Sequence, residues 1–332
     1  MSIGSGLAGS LMTKKESAFG TYPTPDKGWQ ITKADLKKNK NVVQGGGLAA
    51  GLAAQHGSRR VVTHESGSGS IEGLEVTNKG FGFWLEQLLG GSVAPTQQAA
   101  TTAYLQSRPL VDNVGNSFTA QVGVPDAAGT VRPYTAKGCK ITAATFASAV
   151  GERLMFTPTI DFRQLSEVET LVAPTIPAGL IPRTFKDLTV SLGTYGAEAP
   201  VTGVKGASLT IERPQDTERQ YAGAAGLKAE PLWNDFAKVS GSITADFLDK
   251  TVFADRFASD ASIAMVLEWK GPLIASTYYE RITFKLPMIF FDGDSPILDG
   301  PGIVSGAFPF TAQLDGTNPL VTCEYVSVDT TV

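Results

Sequence analysis

Only two side chains titrate near neutrality, His56 and His64, and both stand in Gly/Ser-rich surroundings. His64-Glu65-Ser66 invites comparison with a hydrolase triad, but its order and spacing match none, and no Gly-x-Ser-x-Gly turn joins a strand to a helix. Asp292-Gly293-Asp294 and Asp299 offer oxygen ligands for calcium without the spacing or closing glutamate of an EF-hand, so turns between strands account for them more simply. No Gly-rich segment runs into Gly-Lys-Ser/Thr, so no phosphate loop is expected. Cys139 and Cys323 are too few for a disulfide framework, have no metal-site spacing, and sit among apolar strand residues as small core side chains. Catalysis, a metal and a cofactor are therefore not expected.

Composition points toward assembly. A chain of 332 residues exceeds what one hydrophobic core usually supports, which predicts two packed subdomains. Charged residues make up 18%, below the roughly 25% usual for soluble domains, so much of the surface is expected to be buried against other subunits. The net charge is −4, and the longest basic block is Lys37-Lys38-Asn39-Lys40, read as a solvated loop or strand face; tight binding to nucleic acid is not expected. The N-terminus lacks the charged region and apolar run of a signal peptide, and no segment approaches the ~20 apolar residues that span a bilayer. The expectation is a protein folded in the host cytoplasm without a membrane partner.

The elements are organised around a strand-to-helix unit that occurs twice. Gly69–Gly90 reads GSIEGLEVTNKGFGFWLEQLLG, and Gly241–Asp260 reads GSITADFLDKTVFADRFASD, 172 residues later. In the second copy Ile243, Ala245 and Phe247 alternate with Ser242, Thr244 and Asp246, Asp249 is placed to cap a helix, and Phe253 and Phe257 share one helical face. In the first, Ile71, Leu74 and Val76 are the apolar strand positions, which predicts a bulge at Gly73. Asn78 is the cap there, and Phe81, Trp84, Leu85, Leu88 and Leu89 form the buried stripe. A period of this length points to two similar subdomains rather than a solenoid.

The chain then divides into an N-terminal arm (residues 1–16), mobile until something docks on it, a first module (17–170), a Pro-rich linker (171–182) that can pair with little, and a second module (183–332). Ser92–Asn116 reads as polar and irregular. Leu154, Phe156, Ile160 and Phe162 alternate with polar residues as in a half-exposed strand. In Arg281–Phe291, Ile282, Phe284, Leu286, Met288 and Phe290 form one face, and Pro287 on the other marks an edge or a bulge. A dozen or more strands and two helices give a β-rich α+β fold.

Several long runs, among them ITKADLKKNKNVVQGGGLAAG, SRRVVTHESGSGSIEGLEVTNKGFG, AGLKAEPLWNDFAKVSGSITADF and FFDGDSPILDGPGIVSGAFPFTAQLDGTNPLVTCEYVSVDT, resemble the tail tube (major tail) proteins of long-tailed non-contractile bacteriophages, particularly those of actinobacterial hosts. The resemblance runs in order from about Ser17 to the C-terminus. It implies a β-sandwich or barrel module with a flanking helix, whose inner sheet joins its neighbours' into a continuous barrel around a lumen. It implies further that stacked rings form the virion tail, through which DNA and tape-measure protein pass, with tail terminator and distal tail proteins as end partners.

With two modules per chain, a homotrimeric ring of pseudo-sixfold symmetry is expected, and a homohexamer is the alternative. The wet strand faces, Ser70, Glu72 and Glu75 with Ser242, Thr244 and Asp246, are the candidate lumen residues, an acidic or neutral surface on which DNA slides without sticking. Gly45, Gly46, Gly47 and Gly51 in one loop, and Gly223 and Gly226 in another, are candidates for contacts between rings. The competing reading is a virion-associated β-sandwich that binds carbohydrate or a receptor. It would need exposed aromatic platforms, whereas Trp84 and Trp269 fall within elements, and Trp29 and Trp233 at segment ends read as packing.

Overall fold

The computed structural model describes residues 4–47, 50–51, 53–247, 250–251, 253–293 and 301–332. Period-two alternation builds most of it. In the Met155–Phe162 strand and the residue before it, Leu154, Phe156, Ile160 and Phe162 are buried, while Met155 and Thr157 are half-buried and Thr159 is exposed. Nineteen of the described strands join one sheet, and Gln215–Asp216 pairs separately with Leu232–Trp233. Every ladder within the large sheet is antiparallel.

One strand turns this sheet over on itself. The first part of Val131–Ala149 pairs with Phe118–Pro125, and its last part pairs on one side with Met155–Phe162 and on the other with Val204–Glu212. At the change of partner lies Gly138, with φ +66, whose amide donates to the Glu16 carboxylate at 2.8 Å. Tyr278–Phe291 behaves alike. Its residues 281–285 pair with Thr322–Ser327 and its residues 289–291 with Ser305–Ala312, while Ile263–Ala275 lies along its other edge. The result is layered and β-rich.

The Gly82–Leu89 helix is enclosed by these layers rather than flanking them, and all eight of its residues are buried. Trp84 packs 5.3 Å from Trp29 and 5.7 Å from Phe118, and Phe81 packs 5.3 Å from Phe156, centroid to centroid. Each such aromatic side chain contributes about 1.5–3 kcal/mol by burial. Leu85 and Leu88 are equally inaccessible. Asn78 does not cap this helix. Phe81 occupies the N-cap without a side-chain bond, and the Asn78 amide instead donates to Glu280 at 3.0 Å and accepts from the Ile181 amide at 2.8 Å. At the other end Arg213 donates to the carbonyls of Leu88 and Val111, 2.6 Å each, placing a cation at the negative pole of the helix.

The second helix, Ala254–Ser259, is peripheral, with no buried residue. Phe253, just before it, is buried and stacks on Phe308 at 4.3 Å, whereas Phe257 is only partly buried at the core's margin. Asp249 lies outside the described residues.

Four other expectations change. Ser10–Lys15, inside the segment read as a mobile arm, is a strand with Leu11 and Met12 buried, paired with Phe118–Pro125. Ser92–Asn116 is not irregular throughout, because its Tyr104–Pro109 strand pairs with Thr322–Ser327. The Pro-rich stretch forms no long strand but is docked: Gly28 donates to Thr175 O, and Val172 to the Gln121 side chain. In Tyr278–Phe291 the pleat reverses at Pro287, since Met265 faces Leu286 but Ile263 faces Ile289. Ile282, Phe284 and Leu286, then Ile289 and Phe291, are buried, leaving Met288 and Phe290 half-buried.

Candidate assembly surfaces

Directly opposed residues of neighbouring strands point to the same face of a sheet, so the register decides which side chains share a surface. Ser70 faces Asp35 on one side and Thr159 on the other; Thr159 faces Ala143, which faces Glu212. Ser242 faces Ser208, Ser208 faces Ala147, Ala147 faces Met155, and Met155 faces Glu75. Thr244 faces Gly206, and Glu72 faces Lys33. Ser70, Glu72, Glu75, Ser242, Thr244 and Asp246 therefore lie on one face of one continuous sheet, away from the core side held by Ile71, Leu74, Val76, Ile243 and Ala245.

Glu75 joins Glu72 on that face only because Gly73, with φ +83, interrupts the strand between them. Between the acids the surface is made of Thr145, Thr157, Thr159, Ser208, Thr210 and Ser240, and Thr145 and Thr210 share a hydrogen bond of 2.9 Å.

Four of its acids are paired with cations, which puts the face at the neutral end of the acidic or neutral range expected. Glu72 is paired with Lys33 at 2.7 Å, Asp246 with Lys205 at 2.5 Å, Asp35 with Lys37 at 3.0 Å, and Glu75 with Arg153. The Glu72 carboxylate holds the Lys33 ammonium above the ordinary lysine range. Exposed pairs of this kind add little to stability, because solvent screens them. Their effect here is on the field, which they bring close to neutral over a hydroxyl-rich plane.

Two further surfaces adjoin this face. Lys33–Gln44 pairs only with Arg60–Glu72 among the described strands, so its other edge is open. The hairpin these two strands form carries Gly45, Gly46, Gly47 and Gly51 in its connection, and His56 and His64 lie exposed or half-exposed on it. The Gly223 and Gly226 loop does not reach outward as that hairpin does. It folds back along the hairpin base, where the Glu65 amide donates to Gly226 O at 2.9 Å. Its continuation is pinned by Lys228 to Asp161 at 2.5 Å and by Glu230 to Lys140 at 2.5 Å, with Lys228 and Lys140 buried.

Sequence reasoning did not single out this pinning or the open edge. The available signals were the lone lysine in GAAGLKAEP and the Lys-rich strand itself. Cys139 and Cys323 are both buried thiols, pushed up by desolvation. Trp84 and Trp269 are buried, and Trp233 stacks on the Arg213 guanidinium at 4.8 Å, so none of these three forms an open aromatic platform.

No curated protein matches the chain. The family described as phage tail tube protein matches residues 6–312. An extended sheet with an open edge, a near-neutral hydroxyl face and a protruding hairpin accords with a subunit built to polymerise, and the chain belongs to the phage tail tube protein family, a structural component of the virion tail.

Proposed function

We propose that the chain contributes two tube modules, residues 17–170 and 183–332, so that three chains close a pseudo-sixfold ring and stacked rings enclose the DNA conduit. The observation that carries this reading is a repeated order of strands. Across the sheet the neighbours run Lys33–Gln44, Arg60–Glu72, Met155–Phe162, Val131–Ala149, and then Val204–Glu212, Lys238–Asp246, Ser305–Ala312, Tyr278–Phe291. The second four repeat the first four in order and in antiparallel sense.

The junction between the two sets, Gly206–Glu212 against Ala143–Ala149, supplies a template for the junction between chains. By that template the open edge of Lys33–Gln44, the counterpart of Val204–Glu212, pairs with the second module of a neighbouring copy. Closing the ring removes the exposed edges. The Ser/Thr face then lines the lumen, where paired charges leave little attraction for phosphate, and DNA and tape-measure protein pass without being held. The Gly45–Gly51 loop meets the next ring, terminator and distal tail proteins meet the two ends, and assembly takes place in the host cytoplasm.

Electron microscopy of tubes together with the native mass of the smallest ring tests this. Three chains per ring, with Ser70 and Ser242 on the inner wall, is the expected result. Six chains would retain the tube and reject the paired modules, and those serines on the outer wall would reject the lumen assignment.

A further inference from the structure

The two helices stand at the same place in the repeat, yet one is enclosed and the other is bare. Phe81, at the start of Gly82–Leu89, packs on Phe146 and Phe156; Phe253, 172 residues later, packs on Phe291 and Phe308 of the matching strands. The seat is repeated, and the cover is what differs. Over the first helix the cover includes the second module, whose Leu209 and Arg213 are fully buried and whose Arg213 guanidinium donates to the Leu88 carbonyl at the helix end. Ala254–Ser259 has no such cover and no buried residue. Phe257, in the place of Leu85, is half-buried, and Asp260, in the place of Leu88, is exposed.

A matching cover is present in the chain, on its open edge. Asp35 faces Ser70 as Ser208 faces Ser242, so along the strand Leu36 stands for Leu209 and Lys40 for Arg213. Leu36 is only partly buried and, with Ala34, Val122, Val124 and Tyr134, lines an apolar groove of about 220 Å³. Lys40 is exposed, because Glu65 opposite it is taken by Lys38 at 2.8 Å. Neither Lys40 nor Asp260 forms an ion pair among the described residues. Resting on the tube reading above, we propose that the Ala254–Ser259 helix of one copy is enclosed by the Lys33–Gln44 edge of the next copy in the same ring, with Phe257 in the groove and Lys40 at the helix's C-terminal end. There the ammonium meets the carbonyls of the last turn and the Asp260 carboxylate. A guanidinium spans two carbonyls with its fork, whereas an ammonium is a single point of charge, and the carboxylate supplies its second partner. Helix and edge are different patches of one molecule, so the contact runs head-to-tail around the ring and closes on itself.

Two measurements test the contact. Hydrogen exchange on wild-type protein compares the free subunit with tubes, and the amides of Ala254–Ser259 are expected to slow about tenfold or more on assembly. Equal exchange in the two states would overturn the enclosure and leave the tube reading intact. The second is Lys40→Cys with Asp260→Cys, both native cysteines being buried. Tubes of this double variant treated with a short bismaleimide are expected to give a ladder of linked chains that stops at the number in one ring, while each single variant stays unlinked. Tubes that remain unlinked would overturn the contact, and a ladder running past one ring would place it between rings and overturn it equally. If the double variant forms no tubes, the wild-type exchange result decides. Wild-type protein that forms no tube with a tail initiator present would reject the tube reading, and this contact with it.

Discussion

The buried pair of Asp161 and Lys228 concentrates the electrostatics of the subunit in two side chains. Desolvation pushes Asp161 up to about 6, with Glu218 adding to the rise, while Lys228 at 2.5 Å opposes it. Lys140 faces Asp161 in the ladder but is engaged by Glu230 and by the Asn113 carbonyl at 2.7 Å. Because the native pKa lies above the unfolded value, the native state holds this proton more tightly. The group's contribution to stability is therefore greatest below the unfolded value near 3.8 and is lost as pH rises through about 6. Urea unfolding across that window is expected to show a declining component that Asp161→Asn removes; an identical profile in the variant would contradict the assignment. Lys228→Met leaves the carboxylate buried without its cation. It is expected to cost about 3–5 kcal/mol at neutral pH and less near pH 5, where Asp161 takes up its proton.

At the scale of elements, one glycine decides where a strand points its acids. Gly73 adopts φ +83, and a Cβ there would stand 2.3 Å from Thr32 Oγ1 and 2.5 Å from the Thr32 amide nitrogen. Gly73→Ala is expected to lower stability by about 1–3 kcal/mol, read by thermal unfolding, and a variant as stable as wild type would show that the bulge carries no strain. That bulge was legible, since Ile71, Leu74 and Val76 break the period of two. The reversal at Pro287 was only half legible. Met288 and Phe290 are as apolar as Ile289 and Phe291, so hydrophobicity could not say which pair turned inward. Asn78 was read as a cap from its place before an apolar run, but its amide is taken by Glu280, 202 residues away in sequence. The cations that neutralise the acids of the hydroxyl face were hidden for the same reason, because Lys33, Arg153 and Lys205 reach it through register rather than adjacency.

For the molecule as a whole, the question is how a long open strand edge remains soluble until it meets its proper partner. Lys33–Gln44 carries Lys33, Lys37, Lys38 and Lys40, and cations along an edge disfavour pairing with arbitrary strands. In an antiparallel strand successive amides point alternately to the two neighbours, so of two adjacent positions one donates inward to Arg60–Glu72 and the other faces the open side. Proline removes that donor at either position. Lys37→Pro and Lys38→Pro should therefore separate folding from assembly. One is expected to lower the thermal midpoint of the isolated subunit. The other is expected to leave that midpoint close to wild type and yet prevent tubes from forming, as seen by negative-stain electron microscopy. If both variants polymerise normally, the open edge takes no part in the lateral contact, and the junction between Ala143–Ala149 and Gly206–Glu212 is not the template for the one between chains.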